Sequence, residues 1–235
     1  MTPPTLPSDY PRLRVVTSFE ALIATPFRDG VNAVCWPRDL RGDFNQVVRQ
    51  LATADDITSI DEARLTSLEV DPAGREAVAS LLDDLRRLRA IGHEPTLDCV
   101  RRYPRDHDGP VATDVHSFHV DSATAPTDTF LCSYTGASSE GLRNDEARRR
   151  VDAPATRARL LERFGGLEGD AFAAWLGENS FDLHYEPLPW ARPFSFGLGN
   201  LWRIAVQYPG GPVPACIHRA PEDAPGQPPR LLLIS

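Results

Sequence analysis

From residue 182 to the C-terminus the chain is divided into short apolar stretches, at 182–188, 194–198, 201–208, 215–218 and 230–234. The breakers are Pro187-Leu188-Pro189, Gly199-Asn200 and Pro209-Gly210-Gly211-Pro212. Segments this short, punctuated by turn residues, predict strands. Short strands bury a shared apolar face only by closing on themselves or by packing on a second sheet. Residues 96–103, 115–121 and 129–134 have the same character, and 13–23 with 31–36, separated by the turn at Arg28-Asp29-Gly30, extend the main sheet.

Helical signals are fewer. Pro72-Ala73-Gly74 precedes a stripe of Val78, Leu81, Leu82, Leu85, Leu88 and Ile91 at three- and four-residue spacing, with Asp83, Asp84, Arg86 and Arg87 expected to face water and Gly92 ending the helix. Asp43 is expected to cap a helix running to about Ala52. Between 137 and 179, helical stretches at 145–151, 154–164 and 169–176 interrupt the β pattern. The expectation is a mainly β chain with helical additions, an α+β fold. One domain spans residues 12–235, after a disordered arm at 1–11. With 235 residues, 41 % of them apolar, the chain can bury one sizeable core.

The formal net charge is −8, and all 25 basic residues are arginine. An acidic chain without a basic stripe argues against nucleic acid as its main partner. Arg101-Arg102-Tyr103-Pro104-Arg105 is expected to be a solvated loop. No apolar run approaches the ~18 residues of a membrane span, and the N-terminus lacks the pattern of a secretory signal. Cys35, Cys99, Cys132 and Cys216 are far apart and read as buried free thiols. A cytoplasmic location is expected.

His119 and Asp121 stand two apart in an extended stretch, so they project from one face about 7 Å apart along the chain. His218, in the apolar context Pro214-Ala215-Cys216-Ile217, can supply a third ligand from another strand. Two histidines and a carboxylate on one face of an octahedral ion leave positions open, the arrangement of non-heme Fe(II) oxygenases. Arg230 opens the final strand after a loop rich in Pro, Gly and acids, which predicts that the strands of His218 and Arg230 are antiparallel neighbours. Its guanidinium could take a carboxylate through two parallel hydrogen bonds. His184 and Glu186 form a rival pair, read as a barrel-lining or rim pair because they stand only 31 residues or so before His218. His116, an odd number of residues from His119, is expected to face away from the metal.

In His119-x-Asp121, a long gap, His218 and then Arg230, the chain resembles the Fe(II)/2-oxoglutarate-dependent oxygenases. It is similar to a bacterial branch of that superfamily through Phe118-His119-Val120-Asp121, Tyr134-Thr135-Gly136 and His218-Arg219-Ala220-Pro221 followed by Arg230-Leu231-Leu232-Leu233. The resemblance implies a double-stranded β-helix (jelly roll, cupin-like) with helices packed on one face. It also implies an insertion at about 137–179, over the barrel mouth or on an outer face of the sheet. It implies Fe(II) on His119, Asp121 and His218, the far carboxylate of 2-oxoglutarate on Arg230, Tyr134 lining the cosubstrate pocket, and O2 as oxidant. A small-molecule substrate would be hydroxylated, epoxidised or desaturated while 2-oxoglutarate becomes succinate. Trp202, Arg203 and Trp190 are candidate substrate contacts, near or on late strands. Two other classes share these residues. A metal-dependent cupin-like isomerase or hydrolase that does not use O2 would not need Arg230 in the pocket. A non-catalytic β-sandwich binding protein would leave the three ligands apart.

Overall fold

A computed structural model describes residues 6–51, 55–106, 109–222 and 226–235. The chain begins with β1 (Leu13–Val15), α1 (Phe19–Ala24), β2 (Ala33–Trp36), α2 (Phe44–Leu51), β3 (Ile57–Ser59), α3 (Glu62–Thr66) and the long α4 (Pro72–Ala90). There follow β4 (Thr96–Val100), β5 (Phe118–His119), β6 (Asp128–Ser133), β7 (Glu140–Leu142) and β8 (Ala147–Arg149), then α5 (Pro154–Phe164) and α6 (Asp170–Glu178). The last stretch contains β9 (His184–Pro187), β10 (Phe194–Ser195), β11 (Leu201–Ala205), β12 (Ile217–Arg219) and β13 (Arg230–Ile234).

These elements make an α+β fold with two sheets. One has seven strands in the order β1-β2-β11-β6-β13-β4-β3, and the other six in the order β10-β7-β12-β5-β9-β8. Their pairings are antiparallel apart from β1 with β2. No helix among the described residues is long and apolar enough to cross a membrane.

Side-chain parity decides what each strand contributes. On β13, Leu231 and Leu233 join the core formed with α1 to α4, whereas Arg230, Leu232 and Ile234 point into the space between the sheets. On β6, Phe130 and Cys132 take the helical side and Leu131 the inner one. One end of the interior is closed by Phe194, Phe196, Trp202, Ile204, Cys35 and Cys216. All four cysteines are buried and free.

Several expectations are corrected by local chemistry. The stretch 13–23 is not one strand, because Ser18 accepts a hydrogen bond from the Ala21 N–H and starts α1, which buries Phe19 and Leu22. That helix carries the chain over, so β1 and β2 run parallel. Of the expected arm, 1–5 lies outside the described residues, but Tyr10 is buried and its hydroxyl donates to Asn144 Oδ1 at 2.8 Å. The α2 helix starts after Asp43 as expected, and its expected end at Ala52 lies outside the described residues. Asp84 does not face water. It is buried within the stripe of α4 and accepts hydrogen bonds from Arg38 and from the Tyr134 hydroxyl, both at 2.6 Å. The region expected as a helix at 145–151 is instead β8 between two 3-10 turns, so both β7 and β8 belong to the six-stranded sheet. Only α5 and α6 build a separate core, from Leu160, Phe172 and Leu176 with Val111, Val151 and Phe181.

Candidate metal centre

The centre is built on one straight row of residues across the six-stranded sheet. Phe194 pairs with Gly141, Gly141 with His218, His218 with His119, and His119 with His184. Directly opposed residues share a face, so the row sets three imidazoles side by side, with ring centroids 4.6 Å apart for His119 and His218 and 5.7 Å for His119 and His184. Asp121, two residues beyond His119, brings its Oδ1 to 4.0 Å from His119 Nε2 and 3.8 Å from His218 Nε2. One ligand atom from each of His119, Asp121 and His218 lies within 4.8 Å of the others, so the three could hold a metal ion.

The surroundings prepare these atoms for a cation. His119 Nδ1 faces the Ser117 carbonyl at 2.8 Å and His218 Nδ1 faces the Cys216 carbonyl at 3.3 Å. Each carbonyl accepts a hydrogen only, which places the ring proton on Nδ1 and leaves the Nε2 lone pair toward the centre. The Thr129 hydroxyl donates to Asp121 Oδ2 at 2.6 Å, leaving Oδ1 for the metal. Burial, and then the neighbouring His218, push the His119 pKa down to about 4, which keeps its nitrogen available. Burial alone would raise the Asp121 carboxyl; His218, the Thr129 hydroxyl and His119 outweigh it and hold the group below its usual range.

Gly141 explains how His218 is braced. A Cβ at Gly141 would lie 2.4 Å from Phe194 Cζ and 2.7 Å from Phe196 Cε1, so the bare backbone lets these rings settle beside His218. Phe196 lies 6.5 Å from the His218 ring at 24°. Gly141→Ala should therefore displace both phenyl rings and weaken metal binding about tenfold, with a stability loss of about 1–3 kcal/mol. Metal titration and urea unfolding of this variant check both effects; unchanged metal affinity would show that the aromatic brace is not needed.

Arg230 and the three ligands line one cavity of about 150 Å³ between the sheets, with Leu131, Leu232 and Ile234 among its apolar walls. Arg230 is 6 % exposed. It donates to the hydroxyls of Ser133 at 2.9 Å, Ser139 at 2.6 Å and Tyr103 at 3.4 Å, while its Nε has no partner among the described residues. Burial lowers its pKa below the ordinary arginine value, but an arginine remains charged at neutral pH. Among the described residues no carboxylate pairs with it, since all its polar partners are neutral hydroxyls. A second cavity, of about 330 Å³, lies over Trp36, Arg38 and Asp84 on the helical side, where the charges already neutralise each other.

His218 and Arg230 line the same cavity, but not as the antiparallel neighbours expected. The β12 strand lies in the six-stranded sheet and β13 in the other, flanked on both edges by β4 and β6, so the two residues face each other across the interior rather than along a hairpin.

Four expected contacts are not at the cavity. Tyr134 has the opposite parity from Ser133, so it stacks on Phe44 in the helical layer, 5.4 Å between centroids, and donates to Asp84. Trp202 is fully buried at the closed end, stacked on Phe196 at 4.0 Å with its N–H donating to the Phe196 carbonyl. Arg203 points to the helical side, where it pairs with Asp128 at 2.6 Å and donates to the carbonyls of Leu22, Ile23 and Thr25 at the end of α1. Trp190 is 65 % exposed in the turn between β9 and β10 and lines none of the cavities described above.

Of the rival pair, Glu186 is engaged by Arg148 on β8 and is not a ligand. His184 stands beside the triad without belonging to it. His116 Nδ1 faces the Pro221 carbonyl at 3.0 Å and its ring meets Tyr103 edge-on, so it supports the wall. Thr129, Ser133, Ser139 and Tyr103 are hydrogen-bond partners of Asp121 and Arg230 that the sequence did not single out. The signal for two of them was parity, because Thr129 and Ser133 share the inner face of β6 with Leu131.

Acid should act on this centre before it acts on the carboxylates. His184 is also held at about 4, by burial and then by Arg150. A histidine that stays neutral in the folded chain binds fewer protons than its unfolded counterpart, whose pKa is about 6.5. Its contribution is intact above that value and is lost as pH falls from about 6.5 toward 4. The metal-free protein should thus lose about 2–4 kcal/mol between pH 7 and 5. Urea unfolding at the two pH values measures this; a flat profile contradicts the burial of two neutral imidazoles.

No protein-family model, curated protein or solved structure matches this chain.

Proposed function

We propose that the protein is a non-heme Fe(II)/2-oxoglutarate-dependent oxygenase on a double-stranded β-helix, oxidising a small molecule. The observation that carries this reading is the one cavity shared by a two-histidine, one-carboxylate triad and a buried guanidinium that has no carboxylate partner among the described residues. A metal ion alone would not call for Arg230. An uncompensated buried cation is costly unless an anion joins it, and a dicarboxylic 2-oxo acid answers both demands, with one end for the metal and the other for Arg230.

The donor set fits iron. Two neutral imidazoles and one monodentate carboxylate, on one side of the ion, are the protein ligands of this class. Iron(II) bound there supplies the redox chemistry that couples oxygen reduction to loss of carbon dioxide from the 2-oxo acid. The chain's own residues do the rest. The carbonyls of Ser117 and Cys216 keep the Nδ1 protons of the two histidines away from the centre, and Thr129 fixes the carboxylate. Ser133 and Ser139 hold the guanidinium in place against β13. Leu131, Leu232 and Ile234 exclude water and strengthen every charge interaction in the cavity. For a hydroxylation the balance is one 2-oxoglutarate, one O2 and one substrate C–H giving succinate, CO2 and C–OH.

Without its substrate, such an enzyme consumes 2-oxoglutarate slowly when a reductant such as ascorbate is added to supply the two electrons that take the second oxygen atom to water. Protein loaded with Fe(II) under argon, supplied with 2-oxoglutarate and ascorbate and then opened to oxygen, is expected to release succinate and CO2 in equal amounts, and Asp121→Ala protein to release neither. Metal binding without succinate would direct the reading to a metal enzyme that does not use O2.

A further inference from the structure

Arg230 borders two cavities. The inner one, of about 150 Å³, is the one that the triad lines. The outer one, of about 60 Å³, is bounded by Arg101, Glu222 and Gln227, all exposed, and so opens to solvent. Among the described residues only Tyr103 and Arg230 line both, which makes the phenol and the guanidinium their common wall. The Tyr103 hydroxyl accepts from Arg230 Nη1 at 3.4 Å, while Nη2 is held by Ser133 and Ser139. The ring is itself supported. It meets His116 edge-on at 5.8 Å between centroids, and His116 is 3 % exposed with its Nδ1 against the Pro221 carbonyl at 3.0 Å. The backbone leading to Tyr103 is tied down as well, because the N–H groups of Arg101 and Arg102 donate to the Asp56 carbonyl at 2.8 and 3.3 Å. A ring packed in this way yields little to a ligand that presses on it.

We propose that Tyr103 is a specificity-determining residue, which limits the length of the acid that Arg230 accepts. The inference rests on the reading of Arg230 as the anchor of a dicarboxylic 2-oxo acid held at its other end by the metal. A five-carbon acid ends at the guanidinium, and each further methylene drives its far carboxylate against the wall that the phenol completes. One methylene too many in a closed pocket is worth about 10- to 200-fold in discrimination. Behind the ring lies the outer cavity, so shortening Tyr103 joins the two spaces and gives a longer acid room to extend. The ring, rather than the hydroxyl, is what closes the wall.

The test is isothermal titration of Co(II)-loaded protein with 2-oxoglutarate and with 2-oxoadipate, its homologue one methylene longer. Wild type is compared with Tyr103→Ala, Tyr103→Leu and Tyr103→Phe. Wild-type and Tyr103→Phe protein should each bind the shorter acid at least about tenfold more tightly than the longer one. In the Ala variant the ratio is expected to fall to within about threefold, with the Leu variant between the two. Leu keeps an apolar side chain in the wall, so a result is obtained even if Ala impairs folding. An unchanged ratio in both the Ala and Leu variants, with or without a parallel loss of both affinities, would overturn the inference and leave Arg230 as the anchor. A Phe variant as unselective as the Ala variant would also contradict it, since the hydroxyl and not the ring would then set the length. Wild-type protein that binds Co(II) but neither acid would remove the 2-oxo acid reading, and this inference with it.

Discussion

His218→Ala protein should bind Fe(II) at least about 100-fold more weakly than wild type, because changes outside the ligand set already cost 10- to 100-fold at such centres. His218 is 6 % exposed and its Nε2 lies 3.8 Å from Asp121 Oδ1, with His119 in ring contact on the next strand. Removing it leaves His119 at the end of β5 and Asp121 two residues beyond, with nothing to complete the face from β12. Anaerobic equilibrium dialysis against Fe(II), with circular dichroism to confirm folding, measures the loss. Wild-type affinity in a folded His218→Ala protein would mean that the metal sits elsewhere.

Arg230→Met separates the two halves of the cavity. Its Fe(II) affinity should remain within about threefold of wild type, since the guanidinium contacts Ser133, Ser139 and Tyr103 and none of the ligands. Binding of 2-oxoglutarate to the Fe(II) form should weaken about 100-fold, the scale of losing a buried, charge-assisted pair. The stability of the variant without ligands should not fall. A buried guanidinium with no counter-ion among the described residues carries a desolvation cost that an apolar side chain of similar length avoids. Isothermal titration with 2-oxoglutarate and urea unfolding give the two readouts. A clear drop in stability with unchanged 2-oxoglutarate affinity would reassign Arg230 to a structural role held by its hydroxyl partners.

Much of the architecture was legible where one physical signal dominated. The β13 strand coincides with the expected 230–234, and α5 with the expected 154–164. Parity brought His119 and Asp121 together, and the structure adds His218 in register with His119. What was missed depended on pairing partners that no local pattern encodes. That β12 and β13 lie in opposite sheets follows from β4 and β6 occupying both edges of β13. The start of α1 lay in the small signal of Ser18, hidden in an apolar run that reads equally well as strand.

Other errors came from giving residue type more weight than position. Asp84 falls within the stripe of Ala77, Leu81, Leu85 and Leu88, so its burial was implied by spacing, although its charge suggested solvent. Tyr134 and Arg203 have the parity of the helical side in their strands, which excluded both from the cavity. Trp202, a candidate substrate contact, has the inner parity of its strand, but the aromatic plug of Phe194 and Phe196 closes its end of the interior.

The central claim is spatial: one ion enclosed by His119, Asp121 and His218 inside the cavity that Arg230 also lines. Anomalous scattering at the iron edge, from crystals grown without oxygen and soaked in Fe(II), tests it most directly. One peak about 2.0–2.2 Å from both Nε2 atoms and from Asp121 Oδ1 is the expected result. A peak bound by other residues, or none at full soak concentration, would contradict it.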